Sequence, residues 1–128
     1  MKLDADARYA ESHEWIRKEG DAFVIGISDH AQHSLGDIVF VDLPKAGAVF
    51  KAKTSFAVVE SVKAAADIYL PIGGKIIAAN ERLTESPELI NQDCYGEGWI
   101  VRIESDASGD WDALLTPEDY EKIAGTEE

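Results

Sequence analysis

A chain of 128 residues, of which 45% are hydrophobic, is long enough for one hydrophobic core and too apolar to be disordered throughout. Its formal net charge of -13 disfavours nucleic acid and anionic membrane surfaces as partners and favours docking onto basic protein surfaces. The single cysteine, Cys94, cannot form an internal disulfide, and no apolar stretch is long enough to span a bilayer.

The beginning of the chain predicts where the protein works. Residues 1–10 contain acidic side chains and no apolar run of signal-peptide length, and they lack the Arg- and Ser-rich composition of a transit peptide. We therefore expect a cytoplasmic protein. A protein of the mitochondrial matrix would have a similar sequence once its transit peptide had been removed.

Short stretches rich in β-branched and aromatic residues, separated by Gly, Pro and Asp, predict a mainly β fold. The predicted strands are Glu14 to Arg17, Ala22 to Ile27, Asp37 to Leu43, Ser55 to Ser61, Ala66 to Leu70, Lys75 to Ala79 and Trp99 to Glu104. Strands this short and this numerous are typical of a sandwich or a flattened barrel.

Three short helices are predicted from their capping residues. The first follows Ser28, covers residues 29–34 and stops at Gly36; the second follows Ser86-Pro87-Glu88; the third follows Thr116, covers about 117–124 and is closed by Gly125. No linker divides the chain, so residues 1–128 are expected to form a single domain with short helices and a C-terminal helix.

Lys63 occupies an unusual position between two predicted strands. A tight hairpin normally uses Asn-Gly, Asp-Gly or Gly-Gly, because its turn needs positive φ angles. Here Val62-Lys63-Ala64 contains no glycine and places an amine between small apolar residues that another protein could recognise. Position alone would still favour an ordinary surface lysine.

The wider sequence favours a particular family. Glu60-Ser61-Val62-Lys63-Ala64 resembles the lipoylation site of the H-protein of the glycine cleavage system. The resemblance extends in family order over most of the chain, through Tyr9 to Trp15, Gly26 to Gln32, Leu35 to Pro44, Pro87 to Asn91, Tyr95 to Trp99 and Leu114 to Tyr120. Ala66, Leu70 and Gly73 depart from the usual family residues but leave the lysine and its surroundings intact.

This resemblance implies a lipoyl/biotinyl-type flattened barrel-sandwich that carries lipoate covalently on Lys63. The chain would be a non-catalytic carrier that shuttles the aminomethyl group of glycine between other proteins. Those partners would be glycine decarboxylase (P-protein), aminomethyltransferase (T-protein) and dihydrolipoyl dehydrogenase (L-protein), with a lipoate ligase or lipoyltransferase attaching the arm. A carrier that visits several partners is expected to be a monomer.

The resemblance also implies roles for individual residues. Glu60, Val62 and Ala64 would be recognised by the ligase. Glu14, Ser12 and Asp67 would line a cleft that shields the loaded arm from water, with Glu14 binding its ammonium. A pair of charges roughly 4 Å apart near a surface interacts by about 4 kcal/mol before desolvation costs. Without the family resemblance, Glu14, Ser12 and Asp67 would be interpreted as solvated polar groups on the surface.

Other functions fit parts of the sequence. A biotinyl carrier usually has methionines beside its lysine, and a lipoyl domain of a keto-acid dehydrogenase usually has Asp before it. Here Val62 and Ala64 flank Lys63 instead. A lipoyl relay protein that donates lipoyl groups to other enzyme complexes has the same arm, and a small hydrolase could use Glu14 and Asp67. His30 and His33 lie three apart without a convincing third ligand, so no metal site is expected.

Overall fold

A computed structural model describes residues 2–105 and 108–126 of the chain. Within these residues there are nine strands and five helices. The strands are β1 (Ala7–Tyr9), β2 (Glu14–Glu19), β3 (Ala22–Ile27), β4 (Ile38–Asp42), β5 (Val49–Phe50), β6 (Ser55–Ser61), β7 (Ala65–Tyr69), β8 (Gly74–Ala79) and β9 (Val101–Glu104). The helices are α1 (Asp29–Leu35), α2 (Arg82–Glu85), α3 (Leu89–Gln92), α4 (Ser108–Asp112) and α5 (Pro117–Thr126).

The strands form two antiparallel sheets with a hydrophobic core that both sheets share. One sheet has the order β1-β2-β3-β9-β8-β5, and the other has the order β4-β6-β7. The core cluster includes Ile25 of β3 and Ile103 of β9 from the first sheet, and Val59 and Ile68 from the second. The mainly β fold class predicted from the sequence is confirmed.

Strand β3 is buried on both faces, which explains its unbroken apolar sequence. Ile25 and Ile27 face the core between the sheets. Val24 faces a second cluster, in which Tyr9 and Trp15 pack against Tyr120 of α5. The C-terminal helix therefore covers the outer face of the large sheet. None of the helices in residues 2–105 and 108–126 is long and apolar enough to cross a membrane.

The predicted helix caps agree with the structure in two places and disagree in a third. The Ser28 hydroxyl accepts a hydrogen bond from Ala31 N at 3.1 Å, and the Thr116 hydroxyl accepts one from Asp119 N at 3.2 Å. Ser86, in contrast, follows the last residue of α2, and Glu88 directly precedes α3 without a side-chain cap. Helix α5 continues through Gly125 to Thr126, beyond the predicted stop; residues 127 and 128 lie outside the described residues.

Strand β9 begins two residues later than predicted. The Asn80 side chain donates hydrogen bonds to Glu97 O and Trp99 O, both at 2.8 Å. These bonds hold residues 97–99 as a loop, and regular pairing with β8 starts only at Val101.

Candidate functional site

Lys63 lies at the tip of the hairpin that joins β6 to β7, and its side chain is exposed. Ser61 shapes this tip: its hydroxyl accepts hydrogen bonds from Lys63 N at 3.3 Å and Ala64 N at 3.1 Å. Its own N–H donates to Ala64 O at 2.7 Å. No residue from 61 to 64 has a positive φ angle. The serine side chain thus stabilises the turn without the glycine that a tight hairpin normally uses.

The hairpin tip is tied to the end of α1. Val62 N donates a hydrogen bond to Asp37 O at 3.1 Å. The Asn91 side chain in α3 holds the neighbouring residues, because it accepts from Ile38 N and donates to Gly36 O, both at 2.9 Å. These bonds fix the direction in which the tip points. Sequence reasoning assigned no role to Asn91 or Ser61.

Gly36 ends α1 with a φ angle of +82° and lies next to the lysine stem. A Cβ added to Gly36 would lie 3.8 Å from Lys63 Cε, so the lysine stem runs over the end of the helix. Within residues 2–105 and 108–126, the Lys63 ammonium has no salt-bridge or hydrogen-bond partner. An enzyme could therefore reach the amine without first breaking an ion pair.

The three residues expected to be recognised by a ligase differ in how exposed they are. Val62 is 70% exposed and Ala64 is exposed as well. Glu60 is half-buried in β6, where it pairs with Phe40 of β4 on one side and Ala65 of β7 on the other.

A cleft of about 430 Å³ lies between α1 and β7. Its lining comes from three parts of the chain: Ser12, His13 and Glu14; Ile27 and the α1 residues His30, Ala31, His33, Ser34 and Leu35; and Ala66, Asp67 and Ile68. The Lys63 hairpin leads directly into β7, which forms one wall of this cleft. Helix α1 forms another wall, and Gly36, which the lysine stem covers, comes directly after it. Glu14 and Ser12 also line a second cleft of about 500 Å³ on the side of Leu114.

Glu14 is a buried carboxyl group, with 2% of its surface exposed. The Ser12 hydroxyl donates a hydrogen bond to Glu14 Oε1, and Tyr69 N donates to Oε2 at 3.3 Å. Burial raises the pKa of Glu14 from 4.5 to about 7, because the desolvation of the charged form outweighs these hydrogen bonds. With a pKa of about 7, the Glu14 carboxyl group is about half ionised near neutral pH when no cation is bound beside it.

Asp67 lies on the same cleft in a different environment. Its side chain is exposed and accepts a hydrogen bond from Ser55 Oγ at 3.2 Å. The structure therefore brings Ser12 and Glu14 into direct contact and places Asp67 on the wall of the cleft that β7 provides.

His13 is strained between the two cleft residues Ser12 and Glu14. Its φ angle of +79° is unusual for a residue with a side chain and is often found at functional sites. Its own ring is held in place, because His13 Nδ1 lies 2.7 Å from Tyr120 Oη, which in turn lies 2.7 Å from Ser28 Oγ. No sequence signal pointed to this backbone geometry, because the tyrosine is more than a hundred residues away.

The possible metal ligands and the single cysteine are the other side chains that could carry chemistry. Within the described parts of the chain, no group of three or more His, Cys, Asp or Glu side chains is arranged to hold a metal ion. The Cys94 thiol is buried, and burial raises its pKa to about 12, so it stays protonated.

A two-sheet β sandwich that presents a lysine on an exposed hairpin defines the class of swinging-arm carrier domains. Within that class, the sequence profile of the "Glycine cleavage H-protein" family matches residues 7–127. The chain belongs to this family, whose members are the lipoyl carriers of the glycine cleavage system. The relay alternative is not favoured by these matches.

Individual relatives agree with the family match. The chain is 52% identical over 118 residues to the glycine cleavage system H protein of Carboxydothermus hydrogenoformans, covering 92% of this chain and 91% of the relative. It is 55% identical over 122 residues to that of Alkalilimnicola ehrlichii, covering 94% of both chains. It is also similar to a crystal structure of a glycine cleavage system H protein from Mycobacterium marinum, with a TM-score of 0.88, 34% identity and coverage of 96% of this chain and 99% of that one.

Proposed function

We propose that Lys63 Nζ carries the lipoyl group in an amide bond and that the chain is a non-catalytic carrier with a cleft for its cargo. The observation that most strongly supports this assignment is the exposed lysine on a turn that Ser61 and Asp37 hold in place. A ligase substrate needs an amine that is reachable and pre-oriented, because ordering a flexible loop would add an entropic cost to binding.

When attached, the lipoyl group supplies the sulfur atoms that take up an aminomethyl group and later release it. The side chains of this protein bind and shield that cargo. Glu14 offers a carboxylate to a cationic amine, and Ser12 and Tyr69 N hold that carboxylate in place. Asp67 adds a second negative charge at the wall of the cleft.

The buried position of Glu14 makes the cleft selective for a cation. Without a cationic partner, Glu14 can take up a proton near neutral pH, which avoids an unpaired buried charge. A cationic amine stabilises the carboxylate and lowers its pKa, so binding of the amine completes the ionisation of Glu14 near neutral pH. The walls exclude water from the bound group, which slows its hydrolysis.

Glycine decarboxylase, aminomethyltransferase and dihydrolipoyl dehydrogenase are the partners that we assign to the arm, together with a lipoate ligase or lipoyltransferase that attaches it. Membership of the family supports these partners. The relatives described above come from bacteria, which supports a cytoplasmic location; cell fractionation of the native host with an antibody against the chain would test it.

Intact mass spectrometry tests the attachment directly. The protein should gain the mass of one lipoyl group when it is incubated with a lipoate ligase, ATP and lipoate. A Lys63→Arg variant should gain nothing, whereas a variant at another exposed lysine, Lys75→Arg, should be modified like the parent. A parent chain that keeps its bare mass, or a modified Lys63→Arg variant, would refute the assignment.

The cleft needs a separate test, because lipoylation does not depend on it. Glu14→Ala should be lipoylated normally but should lose its carried aminomethyl group to water faster than the parent. Equal lifetimes for the two proteins would contradict the proposed role of Glu14.

A further inference from the structure

Exposed apolar side chains are concentrated beside the lysine hairpin. Among residues 2–105 and 108–126, large hydrophobic side chains are exposed at six positions: Val39, Phe40, Val49, Val62, Tyr69 and Ile77. Three of them, Val39 (53% exposed), Phe40 (51%) and Val62 (70%), lie on the hairpin tip or on the strand paired with it. We call these three residues the bulge patch.

An irregularity in the pairing of β4 with β6 creates the patch. Ile38 is opposite Ser61 and Phe40 is opposite Glu60, so Val39 is an extra residue with no partner. Because of this bulge, two consecutive apolar side chains are exposed, whereas regular alternation would bury one of them. Ile38 and Val41, on either side, still point into the core.

Packing within the chain does not account for the apolar side chains of the bulge patch, because all three are exposed. Strand β4 is at the edge of its three-stranded sheet, where exposed apolar residues favour aggregation. Such a feature is typical of a surface that another protein covers. The carboxylates of Asp37, Asp42 and Glu60 lie on the same strand pair or directly before it. A partner with an apolar pocket and a basic rim would complement both properties.

The position of the patch indicates which partner this is. An enzyme that acylates Lys63 must bring its active site to the amine itself, and so it must cover the hairpin and the strand beside it. Enzymes that act on the distal end of an attached arm can stay an arm's length away. The cleft is bounded by β7 and α1, whereas Val39 and Phe40 of the patch lie on β4, at the opposite edge of the sheet.

We propose that the bulge patch is the docking surface for the enzyme that attaches the lipoyl group to Lys63. This inference rests on the proposed function. In the step that it serves, Lys63 Nζ attacks the acyl carbon of an activated lipoyl donor, such as an acyl adenylate. A C–N bond forms, the bond from the acyl carbon to the leaving group breaks, and the amine loses a proton to solvent.

The test measures lipoylation kinetics with a purified lipoate ligase. Phe40→Ser and the milder Val39→Thr should lower kcat/KM, by on the order of tenfold for Phe40→Ser, mainly through a higher KM. Val49→Thr and Ile77→Thr alter exposed apolar residues elsewhere and should leave kcat/KM unchanged. Circular dichroism and thermal unfolding would show that each variant is folded.

A second set of variants tests the acidic rim. Increasing salt should lower kcat/KM for the parent, and Asp42→Asn should weaken this dependence. The control Asp119→Asn alters an exposed carboxylate on α5 and should leave the dependence unchanged.

The outcomes separate this inference from the proposed function. A parent chain that is never lipoylated would refute both. If the parent is lipoylated and the patch variants match the control variants, the docking surface is wrong while the carrier role stands. If the patch variants are lipoylated normally but receive the aminomethyl group from glycine decarboxylase more slowly, the surface belongs to that enzyme and the inference is overturned.

Discussion

Replacing Glu14 by glutamine should make the unlipoylated protein more stable at alkaline pH. The folded protein holds the Glu14 proton up to a pKa of about 7, whereas the unfolded chain releases it near 4.5. Protonation of this group therefore stabilises the folded state below pH 4.5, and this stabilisation is lost as the pH rises to 7 and above. At about 1.4 kcal/mol per pH unit, the loss in the parent amounts to about 3 kcal/mol. The uncharged amide of the variant would avoid this loss, and its oxygen could still accept the hydrogen bond from Tyr69 N.

Urea unfolding of both proteins between pH 4.5 and 8.5 measures this effect. The stability of Glu14→Gln relative to the parent should rise by about 3 kcal/mol over this range, and most of the rise should occur below pH 7. All other ionisable groups are shared, so their contributions cancel in the difference. Glu11→Gln, which alters an exposed neighbour, should show no such rise. A stability difference between Glu14→Gln and the parent that is independent of pH would refute the claim that Glu14 is desolvated.

Three further predictions concern the same region. Asn91→Leu should destabilise the fold by about 1–3 kcal/mol and speed hydrogen exchange at the Val62 amide, because Ile38 N and Gly36 O lose their partner; unchanged exchange would contradict the bracing role. Gly36→Ala should lower the free energy of unfolding by about 1–3 kcal/mol through its positive φ angle, while Lys63 is still lipoylated, since the added methyl group makes only an ordinary contact. Loading of the aminomethyl group at pH 7 should release about half a proton more in the parent than in Glu14→Gln, measured with an indicator dye in weak buffer; equal release would show that Glu14 does not pair with the cargo.

The sequence predicted the elements whose signals are local. The Ser28 cap and the Gly36 stop both act within one turn of α1, and both are present in the structure. Elements that depend on distant partners were missed. Strand β5 is only two residues long, and it exists because Val49 and Phe50 pair with Lys75 and Gly74.

The short helices α2 and α4 were also missed, for a related reason. Helix α2 has no side-chain cap at its beginning, and α4 contains a glycine and two aspartates, which are poor helix formers. Neither segment has the local pattern by which a helix is recognised in a sequence.

The candidate site could be predicted only by resemblance. Composition and spacing could not distinguish Glu14 from an exposed glutamate, because its burial depends on β7 packing over it. Lys63, likewise, is an ordinary lysine until the turn around it is known. The assignments of Lys63 as attachment point, of Glu14, Ser12 and Asp67 to the cleft, and of Glu60, Val62 and Ala64 to ligase recognition stay predictions.

The hydroxyl of Tyr120 connects the last helix to His13 and Ser28 at the rim of the cleft. During synthesis, the ribosome releases Lys63 and its hairpin well before this tyrosine emerges. The attachment point can therefore fold first, and the shelter for the cargo is finished only after Tyr120 has emerged. A nascent chain could accept its arm before it had anywhere to store what the arm carries.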